Sequence, residues 1–190
     1  LTTRAVIKAR NINPIHHKRC DMKILVINCG SSSFKYQLID MAVSEVLCSG
    51  LVERIGDSMG SLTHKKNPGT NEERKYSEER PFSDHTVGMT RVMELLVDHD
   101  LGVIGSLDEI VACGHRVVQG GETFKTSCLV GEKELAQIDE LSPLAPLHNP
   151  ASLQGMKVIM KLLPKVPSVA VFDTEFHSTM APWAYRYALP

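Results

Sequence analysis

Hydrophobic positions in the first part of the chain recur with the two-residue period of β-strands. Residues Lys23–Asn28 form a short run rich in β-branched side chains, a stretch of Gly and Ser follows, and residues 33–38 alternate between polar and apolar. Two such segments around a tight turn predict a β-hairpin. A third strand at Val46–Val52 extends this hairpin into a meander, with Gly50 as the candidate position of a bulge.

The pattern changes after the meander and alternates between helices and strands. Residues 64–82 are rich in charge and contain a Pro-Gly pair, which predicts an exposed loop or a solvated hairpin end. Ser83 or Asp84 is placed to cap the helix that follows. The later predicted elements are a strand at Glu109–Cys113, helices at Lys133–Leu141 and Ala151–Leu163, the second beginning at Pro150, and a strand at Ser168–Phe172. This order predicts an α/β fold with a mixed sheet and flanking helices.

Polar side chains that follow apolar strands mark a candidate site, because ligands of such sheets collect beyond the carboxyl ends of the strands. Asn28, Arg116 and Asp173 each fall at such a place. A carboxylate such as that of Asp173, at the end of an apolar strand, is costly to bury without a partner, so a metal, a cation or a reacting proton is expected nearby. The alternative is that Asp173 caps the helical turn after the strand. Arg116 either grips a carboxylate or phosphate at two points or pairs with a surface acid. His148, between two prolines, is either structural or in contact with a ligand.

The turn of the first hairpin, Gly30–Ser33, has the composition of a phosphate-binding loop, and we call it the glycine-serine loop. It offers consecutive backbone N–H groups and the hydroxyls of Ser31, Ser32 and Ser33, with Lys35 just behind them. The alternative is a serine-rich turn without a ligand. The segment is neither a Walker A loop nor a G-x-S-x-G nucleophile elbow.

Composition and charge narrow the class of protein. The chain has 190 residues, 43% hydrophobic and 23% charged, which is typical of globular proteins. Residues 1–21 carry five basic groups and one acidic group, whereas the rest holds 16 basic and 21 acidic residues. The acidic body argues against nucleic acid as a partner. We interpret residues 1–21 as an upstream or non-native extension rather than a targeting peptide or a polyanion-binding arm.

Cysteine usage and apolar run length bear on the cellular compartment. The five cysteines are scattered, without a CxxC pair or zinc-finger spacing, so neither a disulfide framework nor a structural zinc site is indicated. No apolar run approaches the roughly 18 residues of a membrane span. We therefore expect a cytoplasmic protein with no membrane partner.

Taken together, the motifs resemble the acetate kinase family, and they occur in the family's order. The segments that carry the resemblance are Ile27–Lys35, Gly114–Glu122, Leu144–Pro150, Val171–His177 and the terminal Tyr187–Pro190. The resemblance covers residues 22–190, as an N-terminal domain, and only the first half of a family chain. It implies a ribonuclease-H-like domain of the acetate and sugar kinase, heat-shock cognate and actin superfamily, in which the active site lies between two related domains.

The resemblance also implies a reaction, a cofactor and the groups that bind the nucleotide. Family members transfer phosphate reversibly between ATP and acetate, giving acetyl phosphate and ADP, with Mg²⁺. Asn28 would help to bind Mg²⁺. Lys35 would contact the nucleotide phosphates, and the glycine-serine loop would face the γ-phosphate. The full-length protein is expected to be a homodimer.

The acceptor side of the site is implied in the same way. Arg116 would hold the acetate carboxylate, and Val118 and Leu147 would line the pocket for its methyl group. His148 would lie close to the transferring phosphoryl group, and Asp173 would be the catalytic acid.

Two positions depart from the family pattern, because Gln119 stands where His is usual and Glu175 where a small residue is common. Neither position has a direct catalytic role in the family, so the departures predict tuning rather than loss of activity. The second catalytic His and Arg, a Mg²⁺-binding Glu and the adenosine site of the family are expected in the missing second half.

Three other functions compete with acetate kinase. A propionate or butyrate kinase would use the same site with a different acceptor pocket. A non-catalytic binding or assembly module would keep the fold without turnover. A serine hydrolase would need an activated serine of the glycine-serine loop beside His148, with Asp173 as the third group.

Overall fold

Within the described residues, 22–176 and 178–188, the chain forms eight strands that join in one mixed sheet in the computed structural model. The strands are β1 (Lys23–Cys29), β2 (Ser33–Asp40), β3 (Glu45–Glu53), β4 (Gly60–Lys66), β5 (Arg74–Arg80), β6 (Ile110–Val117), β7 (Cys128–Leu129) and β8 (Ser168–Phe172). The expected extension at residues 1–21 lies outside the described residues.

The sheet combines an antiparallel meander with a parallel centre. Its order is β5-β4-β3-β2-β1-β6-β8-β7, and only the β1–β6 and β6–β8 pairs among these strands are parallel. The predicted hairpin is confirmed, since Cys29 pairs with Phe34 across the turn between β1 and β2. The parallel pairs bring the carboxyl ends of β1, β6 and β8 to one edge of the sheet.

Helices connect and cover the strands. The α-helices are α1 (His85–Leu96), α2 (Glu132–Glu140), α3 (Asn149–Leu162) and the short α4 (Pro182–Tyr185). Asp84 caps α1, because its Oδ1 accepts a hydrogen bond of 3.0 Å from the backbone N–H of Val87. Helix α3 begins one residue before Pro150, close to the prediction. None of the helices in the described ranges is long and apolar enough to cross a membrane.

The core lies between the sheet and the pair α1 and α3. Alternate residues of β1 and β2, such as Leu25, Ile27 and Phe34, are buried on this face, and α1 and α3 pack against them and each other. A second apolar cluster joins α2 and α3 to the ends of β6 and β8. On the opposite face of the meander, side chains from β1 to β4 line a groove of about 530 Å³.

The structure decides between the two forms predicted for residues 64–82. The solvated hairpin is confirmed and the loop is wrong, because β4 and β5 pair through most of this region, with the turn near residues 67–73. The sequence left both forms open because β5 is charged and largely exposed. Strand β6 continues to Val117 rather than ending at Cys113, so Arg116 lies within the strand and not after it.

The bulge predicted at Gly50 was also misplaced. The register shift in β3 lies between Val46 and Cys48, which makes Leu47 the extra residue. Gly50 pairs regularly with Tyr36, and a Cβ atom at Gly50 would overlap the Tyr36 ring. The glycine is therefore needed for side-chain packing on the core face of the sheet.

Beneath Gly50, Tyr36 and His64 form a buried polar pair. The Tyr36 hydroxyl lies 2.7 Å from His64 Nδ1, and His64 Nε2 lies 3.2 Å from the carbonyl oxygen of Leu101. A carbonyl only accepts, so Nε2 is assigned as a donor and the hydroxyl donates to Nδ1. Burial lowers the pKa of His64 and raises that of Tyr36, so both stay neutral near pH 7.

Replacing Gly50 by Ala should destabilise the chain by about 1–3 kcal/mol, since the added methyl group overpacks the core against Tyr36. Gly114→Ala is a matched control within a strand, because the nearest heavy atom to its added Cβ is Val26 Cγ2 at 3.9 Å. Urea unfolding followed by circular dichroism measures both. Equal midpoints for the two variants would show that the Tyr36 ring accommodates the methyl group.

Acidification should destabilise the chain through His115. Burial lowers the pKa of His115 to about 4, from an ordinary value of 6.5. Between these values the unfolded chain binds a proton that the folded chain does not, so the free energy of unfolding falls with falling pH. The loss from His115 is about 2 kcal/mol by pH 5, and buried His64 adds to it in the same direction.

The measurement is urea unfolding at pH 7 and pH 5 for the parent chain and for His115→Gln. The substitution replaces the imidazole, whose Nε2 lies 3.4 Å from Ser168 Oγ, by an amide that does not titrate in this range. The variant should lose less stability between the two pH values than the parent. An equal loss in both would contradict a folded-state pKa well below that of the unfolded chain.

Candidate active site

The three polar residues predicted at strand ends meet in one hydrogen-bonded group. Arg116 Nε donates to Asp173 Oδ1 at 2.9 Å, and Nη2 donates to Asp173 Oδ2 at 2.7 Å. Arg116 Nη1 lies 3.4 Å from Asn28 Oδ1 and completes the link to the next strand. The carboxyl edge of the sheet therefore brings all three residues together.

Strand pairing explains why these residues meet. Asn28 is the penultimate residue of β1, Arg116 that of β6, and Asp173 directly follows β8. The cation expected beside Asp173 is the Arg116 guanidinium, and the acid expected beside Arg116 is Asp173. The capping alternative was wrong, since Phe172 is the N-cap and Asp173 is the first residue of a 3₁₀ turn.

The geometry of this ion pair leaves binding capacity on Arg116. A guanidinium has five N–H donors, of which Asp173 takes two and Asn28 one within the described residues. Two N–H groups on Nη1 and Nη2 remain for a further oxyanion. The Arg116 and Asp173 side chains are 48% and 41% exposed, so solvent reaches the pair and the interaction is screened.

Lys35 lies beside this group on the sheet. It pairs with Asn28 across β1 and β2, and both side chains line the groove on the open face. Lys35 is exposed, as a group that meets a charged ligand would be. A positive charge therefore stands on β2, separated from the strand of Arg116 by β1 alone.

The glycine-serine loop is a tight turn that is held by one backbone hydrogen bond within the loop and one from a neighbouring segment. The Gly30 N–H donates to the Ser33 carbonyl at 2.7 Å, which uses one of the donors offered for phosphate. The backbone N–H of Ile55 donates to the Ser32 carbonyl at 2.9 Å. Ser31 and Ser32 are exposed and Ser33 is half-buried, so two hydroxyl-bearing residues face solvent.

His85 also holds this loop, and sequence analysis missed it. Its Nε2 donates to the Gly30 carbonyl at 2.8 Å, and the residue is 3% exposed at the start of α1. The signal in the sequence is a histidine beside the Asp84 cap on the apolar side of a helix. The bond fixes the loop to the helix that packs beneath the sheet.

The residues predicted for the acceptor pocket lie on two neighbouring segments. Val118 is half-buried just after β6, whereas Leu147 is 78% exposed and His148 is exposed at the N-cap of α3. Asn149 joins the two segments, because its side chain is hydrogen-bonded to the backbone of Gln119. Sequence analysis did not single out Asn149, although its place before Pro150 at a helix start was visible.

The two departures from the family pattern point into neighbouring loops. The Gln119 Oε1 accepts a hydrogen bond of 2.9 Å from the Gly121 N–H. The Glu175 Oε2 accepts one of 2.8 Å from the Ser127 hydroxyl. Both side chains stabilise the segment after β6.

Cys29 lies at the entrance of the glycine-serine loop, but its thiol is unsuited to nucleophilic chemistry. It is 7% exposed, and burial raises its pKa to about 12. A thiol of this kind stays protonated near pH 7.

Comparison with known proteins identifies the family of this chain. The Acetokinase family model matches residues 23–190. The chain is 54% identical to the acetate kinase of Nitratidesulfovibrio vulgaris strain Miyazaki F and 56% identical to that of Thermotoga petrophila, in each case over 169 residues. These alignments cover 89% of this chain and 42% and 41% of the two relatives, so the chain spans about two fifths of their length.

Solved structures give the same result. The Porphyromonas gingivalis acetate kinase superposes with a TM-score of 0.82 at 43% identity, and a Francisella tularensis propionate kinase with 0.77 at 37%. Each match covers 89% of this chain and 41% of the solved chain. The mixed sheet with its flanking helices thus has the fold of the acetate and sugar kinase, heat-shock cognate and actin superfamily.

Within that superfamily, the chain belongs to the acetokinase family.

Proposed function

We propose that this chain supplies the acetate-binding part of an enzyme that transfers phosphate reversibly between ATP and acetate. The observation that carries the proposal is the Arg116 guanidinium, which Asp173 and Asn28 orient while two of its N–H groups remain for an oxyanion. Lys35, which pairs with Asn28 across β1 and β2, provides a second positive charge near this edge of the sheet. The names and folds of the relatives support the same reaction.

The chemistry suits these groups. In the forward direction a carboxylate oxygen of acetate forms a bond to the γ-phosphorus of ATP, and the bond from that phosphorus to the bridging oxygen of ADP breaks. A carboxylate is already a nucleophile, so the protein has to align it and neutralise charge on the phosphoryl oxygens. Arg116 would hold the carboxylate, while Lys35 and the glycine-serine loop would contact phosphate oxygens.

The described residues fit a magnesium ion. Asn28 Oδ1 and the Asp173 carboxylate are hard oxygen donors at one edge of the sheet, and Mg²⁺ in kinases is held by one or two carboxylates together with substrate phosphates. No group of three or more His, Cys, Asp or Glu suited to a metal occurs among residues 22–176 and 178–188, so most ligands would come from substrate and water. When bound, Mg²⁺ would neutralise charge on the phosphoryl oxygens.

The remaining assignments are part of the same proposal. Val118 and Leu147 line the pocket for the methyl group, His148 lies close to the transferring phosphoryl group, and Asp173 is the catalytic acid. A homodimer in the cytoplasm stays the prediction for the full-length protein.

Propionate is the second candidate acceptor, because a propionate kinase is among the similar structures. The acceptors differ by one methylene, which a hydrophobic pocket discriminates by only about 1–3 kcal/mol. A comparison of kcat/KM for acetate, propionate and butyrate decides between them.

Substitution of the ion pair tests the catalytic proposal. The test enzyme is a chimera in which residues 22–190 are joined to the part of Nitratidesulfovibrio vulgaris acetate kinase beyond the matched region. Asp173→Asn should lower kcat by at least about 100-fold, the lower range for a positioned acid or base. Arg116→Ala should lower both acetate affinity and kcat, because one guanidinium serves substrate and transition state.

The exposed pair Arg54–Glu79, with a 3.3 Å contact on the meander, offers matched controls in Arg54→Ala and Glu79→Gln. These controls should leave kcat/KM unchanged. Near-normal turnover of Asp173→Asn would contradict its catalytic role. If Arg116→Ala lost only thermal stability, the pair would be a structural ion pair.

The isolated chain should not turn over by itself. It lacks the part of its relatives that makes up about three fifths of their length, and loss of cooperating groups is grossly non-additive. Residues 22–190 are assayed alone and mixed with a separately produced second half of the relative, with acetyl phosphate trapped as its hydroxamate. Product from the chain alone would show that the site is complete within it.

Isothermal titration distinguishes a non-catalytic module. An acceptor site in this chain should bind acetate, and the chimera should bind Mg-ATP as well. Binding of neither ligand would favour an assembly module with the same fold. Labelling of Ser31, Ser32 or Ser33 by a fluorophosphonate probe would favour the serine hydrolase.

A further inference from the structure

Asn149 is a fully buried polar residue whose side-chain amide is hydrogen-bonded at both its oxygen and its nitrogen to one neighbouring loop. Its side-chain Nδ2 donates to the Gln119 carbonyl at 2.9 Å, and its Oδ1 accepts from the Gln119 N–H at 3.1 Å. Asn149 is 0% exposed. A buried amide with both ends paired to the same residue fixes the distance and the rotation between two segments.

Thr174 holds the next residue of the same loop from the other side. The Gly120 N–H donates to Thr174 Oγ1 at 3.1 Å. A Cβ atom at Gly120 would lie only 3.0 Å from that oxygen, from the Phe124 carbonyl and from the Phe172 ring. The loop is therefore packed closely at Gly120 as well as hydrogen-bonded there.

These contacts connect the three segments that carry the proposed acceptor site. Gln119 directly follows Val118, and Asn149 directly follows Leu147 and His148. Thr174 directly follows Asp173.

Below these bonds, the rings of Phe124 and Phe172 stack with centroids 4.5 Å apart. The stack gives the loop after β6 an apolar base against the end of β8.

We propose that Asn149 and Thr174 are positioning residues that set the acceptor pocket's size, and we call their hydrogen bonds to residues 119 and 120 the loop clamp. The inference rests on the proposed function, since it concerns the pocket for the methyl group of the carboxylic acid. Neither residue contacts substrate in this scheme. Each acts through the backbone that carries Val118.

The physical reason is the sensitivity of a small apolar pocket to the separation of its walls. One methylene changes kcat/KM by roughly 10- to 200-fold in a well-formed hydrophobic pocket. With the clamp intact, Val118 is held at one distance from the segment of Leu147. Without the loop clamp, the pocket wall formed by Val118 relaxes, and kcat/KM falls less from acetate to a longer acid.

The experiment removes each bond separately. Asn149→Ala removes both contacts to Gln119, and Thr174→Val removes the acceptor for Gly120 while keeping the shape of the side chain. Thr174→Ser keeps the oxygen and should restore the parent behaviour. Thr63→Val is the matched control, because Thr63 Oγ1 lies 3.3 Å from Ser77 Oγ on the exposed hairpin, away from these loops.

Hydrogen exchange of the 190-residue chain gives the first readout. The Gln119 amide should exchange at least about 10-fold faster in Asn149→Ala, and the Gly120 amide in Thr174→Val, since each loses its hydrogen-bond acceptor and with it local protection. Exchange in strand β6 up to Arg116 should be unchanged in every variant. Exchange at residues 119 and 120 should be unchanged in Thr174→Ser and Thr63→Val. Unaltered exchange at 119 and 120 would overturn the clamp. Because Thr174 is an exposed residue, its Val variant keeps the test decisive if Asn149→Ala does not fold.

Acceptor selectivity of the chimera gives the second readout. The ratio of kcat/KM for acetate to that for propionate should fall by about 5-fold or more in the two clamp variants, while the KM for Mg-ATP stays within about 2-fold of the parent. A merely structural role would lower stability and leave the ratio unchanged, and that result would overturn the proposal. A parent chimera without activity on any acid contradicts the proposed function instead, and exchange at 119 and 120 then decides the clamp.

Discussion

Parallel pairing of β1, β6 and β8 is the constraint on which the rest of this structure depends. Parallel strands share a direction, so the residues at their carboxyl ends reach the same edge whatever their separation along the chain. Asn28, Arg116 and Asp173 are up to 145 positions apart in the sequence, yet they form one hydrogen-bonded group. Helices α1 and α3 pack on one face of the sheet, and the groove lies on the other.

The electrostatics of the edge follow from that arrangement. Asp173 fixes the plane of the Arg116 guanidinium by a two-point contact and leaves part of its donor set for an anion. In the described part of the chain the pair is exposed and screened by water. In the proposed enzyme, a second domain that closed over this edge would exclude water and strengthen the charge interactions there.

Much of the fold and part of the site could be predicted from sequence. Apolar runs with clear ends located β1, β2 and β8, and the polar residues after them identified the edge. The β4–β5 hairpin could not be distinguished from a loop, because β5 carries charge on most positions and has no apolar period. Arg116 was placed outside its strand because a Gly-His-Arg sequence resembles a strand end, whereas pairing with β8 continues to Val117.

Supporting contacts were the least predictable. His85 and Asn149 act on backbone carbonyl and N–H groups, and a backbone partner has no side-chain signature in the sequence. Tyr36 and Gly50 show the same limit, since their contact depends on register across β2 and β3. Sequence pattern therefore identifies groups that would meet a substrate more readily than groups that hold them in place.

The bonds from Asn149 and Thr174 have a consequence for how this protein tolerates changes in length. An insertion or deletion between Val117 and Gly120 would shift both bonded amides out of reach, so natural variants should keep this spacing fixed. The turn of the β4–β5 hairpin, near residues 67–73, carries no such tie to the edge of β1, β6 and β8 within the described contacts. Length variation among relatives should therefore accumulate at that turn, far from the chemistry.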